Sequence, residues 1–137
     1  MINQLPNLNW FSILIAFIAY FLVGALWFTL LFSKWYKRSL GRENEILENK
    51  PIFIIGPALC TLIITLASAI LIYALNITSL KDGFEFSLLI GVGFLVANTV
   101  NIAINPNIPK PILYGIISGT YHLTGILIAN TIIIAMK

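Results

Sequence analysis

Four long apolar runs set the limits on what this chain can fold into: Leu8 to Phe32, Ile52 to Leu75, Phe84 to Ile104 and Ile112 to Met136. None carries a charged side chain in its central part, and each exceeds the roughly 18 residues that distinguish a membrane-crossing helix from a buried helix of a soluble fold. The runs are rich in isoleucine, yet they do not alternate polar with apolar residues as a barrel strand must. A helix also satisfies every backbone group within its own segment, which a hydrocarbon core demands. The predicted fold is therefore all-α: one domain over residues 1–137, built as a four-transmembrane-helix bundle. Composition agrees, since 9% of the 137 residues are charged and 59% are hydrophobic, where soluble domains carry roughly 25% charged residues. Gly56 and Pro57 lie inside the second run and predict a kink or an unwound first turn there.

Several functional classes are disfavoured at once. A single cysteine, Cys60, allows no internal disulfide, and a single histidine, His122, allows no zinc tetrad. The net charge of +3 comes from eight basic residues scattered along the chain, so no nucleic-acid surface is expected. No Asp, Glu, Lys or Arg lies at depth, which argues against ion-driven pumps and voltage sensors. Paired carboxylates, a phosphate-binding glycine loop and a metal-ligand cluster are all missing from the pattern. The reading is a non-enzymatic protein with no catalytic, cofactor-binding or metal residues and no cofactor.

Basic residues predict the orientation. Lys34, Lys37, Arg38, Arg42 and Lys50 flank the first loop and Lys110 the third, against only Lys81 and Lys137 on the opposite side. The positive-inside rule then places both termini outside, with the first loop in the cytoplasm of what is expected to be a bacterial inner membrane. Val23-Gly24-Ala25 mimics a signal-peptide cleavage site. Residues 1–33 lack a basic start, however, and the apolar run continues to Phe32, so a retained first helix is expected.

Within the spans, Trp10 and Trp35 fit the two interfaces. Trp27 lies roughly 12 Å deeper than Trp35 and should turn into the bundle, because no headgroup can receive its indole N–H there. In the fourth run, Gly115, Ser118, Gly119, His122, Gly125 and Ala129 share a stripe about 120° wide at 100° per residue. Such a small face packs against the third segment or against the same helix of a second copy, so a homo-oligomer, with a dimer favoured, is expected. Asn98, Asn101 and Asn105 share one face of the third segment. An antiparallel hairpin with its midpoint near Ile108 sets Asn98 level with Ser118, and Asn101 with Gly115.

The candidate intramembrane polar site is accordingly His122, Asn98, Asn101, Tyr121, Ser118 and Trp27. Two readings follow: interhelical glue in a structural or lipid- and partner-binding scaffold, or the lining of a small channel or transporter. Lys34, Lys37 and Arg38, interleaved with Trp35 and Tyr36, are candidate anionic-headgroup contacts. The acidic Glu43, Glu45 and Glu48 follow them.

Asn9-Trp10, Gly24-x-x-Trp27-Phe28, Phe32-Ser33-Lys34-Trp35, Gly41 and the late Gly119-Thr120-Tyr121 together resemble an uncharacterised family of small four-helix integral membrane proteins, a domain-of-unknown-function family. The resemblance covers essentially the whole chain. It implies four helices and no assigned activity.

Overall fold

The computed structural model describes residues 2–45 and 50–137; Glu48 lies outside them. After a 3-10 turn at Ile2–Asn7 come α1 (Trp10–Leu26), which continues through a π-helical turn at Trp27–Leu31, then α2 (Ser33–Ser39) and α3 (Ile52–Ala74). Next are α4 (Leu80–Ile90), a π-helical stretch at Gly91–Val96, α5 (Ala97–Ala103) and α6 (Pro111–Ala135). The described residues contain no strand. Four helical stretches are long and apolar enough to cross a membrane: Trp10–Leu31, Ile52–Ala74, Leu80–Ala103 and Pro111–Ala135.

The third begins earlier than its apolar run, at Leu80 rather than Phe84. Ser79 caps it, its hydroxyl oxygen accepting from the Asp82 N–H at 3.0 Å, and Lys81 faces Glu85 one turn on at 4.0 Å. Charges in a first turn are compatible with a helix that starts at the membrane surface, so the helix extends beyond the apolar run at this end. Pro57 does not unwind α3 either. It removes one backbone bond, to the carbonyl of Phe53, from a helix that runs unbroken from Ile52,.

α6 is the hub. It packs against α1, α2, α3, α4, α5 and the Gly91–Val96 stretch. Its pairing with α1 is reciprocal: Tyr20 of α1 lies against Gly125 of α6, and Tyr121 of α6 lies against Gly24 of α1, 2.9 Å from where a Cβ would sit. Each helix thus carries Tyr-x-x-x-Gly, and antiparallel packing sets each tyrosine over the other's glycine. The two tyrosine rings meet at 5.6 Å between centroids.

Both ends of the bundle are tied. At the end that carries the termini, Asn9 caps α1 through the Ser12 N–H at 3.1 Å and donates its amide to the carbonyl of Met136 at 2.7 Å. Lys137 donates to the carbonyl of Ile77 at 3.1 Å. At the other end α2 stops at Gly41, whose φ of +68° only glycine adopts without strain,. The Lys110 N–H then donates to the carbonyl of Ser39 at 3.2 Å, docking the Pro-rich α5–α6 turn onto α2.

Candidate intramembrane polar site

His122 sits near the middle of α6, half-buried, with its Nδ1 2.9 Å from the hydroxyl of Tyr20. That hydroxyl also lies 3.3 Å from the His122 carbonyl. The pair is satisfied either by Tyr20 donating to Nδ1, or by Nδ1–H donating to Tyr20 while Tyr20 donates to the carbonyl. Neither arrangement requires a charged ring. Tyr121 stacks beside His122 at 4.6 Å between centroids and meets Phe28 edge-on at 5.1 Å, so the imidazole is embedded in an aromatic wall.

Trp27 turns inward, and its indole N–H donates to the carbonyl of Ile117 at 3.0 Å. The π-helical turn that begins at Trp27 closes with the Phe32 N–H on the Trp27 carbonyl at 2.8 Å, and the Phe32 ring covers the indole at 4.6 Å. The Gly24-x-x-Trp27-Phe28 element therefore packs as a unit against α6.

Asn98 and Asn101 do not join this group. The register of the hairpin is close to that expected, since Val96 packs on Gly119 and Val100 on Gly115, each with a side-chain carbon 3.2 Å from the position of a glycine Cβ. The face is different: valines line the contact, while Asn98 and Asn101 are exposed on the far side of the third span. Helical spacing puts the asparagines on one face without fixing where that face points, and branched side chains fill the glycine notches better than amides do. The α6 stripe is consequently occupied within the chain, by Val96, Val100 and Tyr20.

A second polar cluster has no counterpart in the sequence reading. Asn130 of α6 is fully buried and joins three helices: the Ser68 hydroxyl of α3 donates to its Oδ1 at 2.6 Å, and its Nδ2 donates to the Ser87 hydroxyl of α4 at 2.9 Å. Ser87 in turn donates to the carbonyl of Gly83 at 2.6 Å. Asn130 lies about 60° around α6 from Gly115 at 100° per residue, just beyond the small stripe, and that position was the available signal.

Among the described residues, one buried side-chain polar atom lacks a partner, the hydroxyl of Ser118. The groove along the α5–α6 hairpin, about 300 Å³, is lined mainly by Val92, Val96, Val100, Ile112, Ile116 and Leu123. Its one hydroxyl, Thr120, is already bonded to the Ile116 carbonyl at 2.6 Å. No cluster of three metal-ligating side chains occurs among the described residues.

On α2, Arg38 stacks over the Trp35 ring at 5.5 Å and pairs with Glu43 at 3.6 Å, while Lys110 reaches the same carboxylate at 3.5 Å. Lys37 donates to the carbonyl of Glu45 at 3.5 Å, and Lys34 is exposed. Tyr36, packed on Tyr114 at 5.7 Å between centroids, is pushed up to about 12 by burial and then by its tyrosine neighbour, with Arg42 opposing.

No curated protein and no solved structure matches the chain. A family model described as "Protein of unknown function (DUF1761)" matches residues 11–134, from the first turn of α1 to the last turn of α6, so the chain belongs to the DUF1761 family.

Proposed function

We propose that this protein is a scaffold of the bacterial inner membrane: an integral protein with both termini outside, assembled as a homo-oligomer, that holds lipid or a partner membrane protein and moves no solute. One observation carries this reading. Tyr20 with His122, Trp27 with the Ile117 carbonyl, and Asn130 with Ser68 and Ser87 each hydrogen-bond across a helix interface, and polar groups already paired with one another hold helices together rather than bind a passing solute. The exposed Lys34, with Lys37 and Arg38 on the same short helix, supplies a basic flank for anionic headgroups, each side chain contributing about 1 kcal/mol.

The test is solute flux in proteoliposomes from about pH 5 to pH 8, the range in which an imidazole changes charge. The scaffold reading expects no titrating flux and a His122→Gln variant that assembles normally, because the amide can still bond across the α1–α6 interface. A second reading, a small channel, draws support from the unpartnered Ser118 hydroxyl one helical turn from His122. Flux that titrates in the native protein and disappears in His122→Gln would establish that reading and overturn the first.

A further inference from the structure

The face of the third span opposite α6 is unlike the rest of the lipid-facing surface. Asn98 and Asn101 are exposed there, and neither side chain makes a hydrogen bond to the described residues. Gly93 and Ala97 precede Asn101 at successive four-residue steps and so share its side of the helix. A Cβ at Gly93 would meet nothing within 4 Å, and Ala97 is exposed. Asn98 is about 160° around the helix from Val100, the residue that touches α6, and roughly 7.5 Å inside the end of the span at Ala103. Its side chain is too short to reach the interface as a lysine would. An amide turned toward hydrocarbon without a partner is unfavourable, and lipid tails offer it none.

We propose that this face, Gly93, Ala97, Asn98 and Asn101, is the interface with a second copy of the chain. The inference rests on the scaffold reading and locates its oligomer contact. Two copies inserted with the same orientation are related by a two-fold axis along the membrane normal, so each residue at the seam meets residues of its own depth. The meeting groups must therefore complement themselves. An amide does so, since it carries both donor and acceptor, whereas a seam of like charges would repel. Gly93 and Ala97 let the backbones approach closely enough for the amides to meet. The other small stripe, Gly115 and Gly119 of α6, is closed to a second copy because Val100 and Val96 fill it.

Disulfide trapping in native-lipid vesicles tests this on the full chain, with the exposed Cys60 replaced by serine. Ala97→Cys and, separately, Phe94→Cys on the same exposed side should give a dimer on oxidation with copper phenanthroline. Ile116→Cys, exposed on α6, should stay monomeric. Adding Asn98→Leu should lower trapping at Ala97→Cys about fivefold, the effect of one interhelical amide contact, and Asn98→Gln should restore it.

Absence of trapping in both the Ala97→Cys and the Phe94→Cys proteins, equal trapping in Ile116→Cys, or indifference to Asn98→Leu overturns the proposal, as does a cross-link to a different protein. The flux measurement stays independent of it. A flux-silent protein that does not trap keeps the scaffold reading and loses this interface, whereas titrating flux removes the scaffold reading whatever the trapping shows.

Discussion

A tyrosine lying over a glycine, once in each direction, is the contact from which the α1–α6 pair is built. Such a contact has no slack: a Cβ at Gly125 would overlap the Tyr20 ring, while one at Gly93 would meet only open space. Gly125→Leu should therefore lower the stability of the detergent-solubilised monomer by about 1 to 3 kcal/mol, the usual cost of overpacking. Gly93→Leu should leave it unchanged. Equal unfolding midpoints for the two variants would remove the tyrosine–glycine pairing from its central place. This residue-scale detail was only partly legible. Trp27 announces its inward turn by its depth, and His122 by being ionisable in an apolar run. Tyr20 carries no such mark, because tyrosine suits an interface as well as a core, and Asn130 borders the small stripe without naming its partners.

Helices were read more securely than the faces they turn to one another. Long uncharged runs and a proline-rich turn fix four spans and a hairpin register within one residue, since both depend on length and chain direction alone. Rotation about the helix axis depends on side-chain shape, and there the amides of the third span yielded to its valines. The residues that carry the family resemblance have local structural roles: Asn9 caps α1, Gly24 admits Tyr121, Trp27 reaches α6 and Gly41 ends α2. α2 itself is held by Tyr36, whose value rises from an ordinary 10.0 to about 12. A tyrosine raised on folding stabilises the folded form fully below the unfolded value, and this contribution is lost as pH rises through the folded one. Stability should thus fall between about pH 10 and pH 12 in alkaline titrations followed by tyrosine absorbance and helicity,. Tyr36→Phe should remove that part of the loss, and an unchanged alkaline profile would dissociate α2 docking from this side chain.

Across the whole molecule, the six-to-two distribution of basic residues and the clustering of Arg38, Arg42 and Lys110 with Glu43 and Glu45 make the α2 end the cytoplasmic one in the proposed orientation. With Cys60 replaced, a cysteine at Arg42 should label only from the cytoplasmic side, and one at Ser79 only from outside. Labelling of residue 79 from the cytoplasm would invert the topology while leaving the packing intact. The hub position of α6 also bears on how the protein comes into being. α6 is the last of the four spans to leave the ribosome, yet Tyr20, Gly24, Ser68, Ser87, Val96 and Val100 all find their partners on it. The three earlier spans can enter the bilayer one at a time, and α1 can already pack on α3, but their contacts with α6 have to wait. The bundle is thus completed only when the last of these helices arrives, and the amide of Asn9, just before α1, then bonds to the carbonyl of Met136, just after α6.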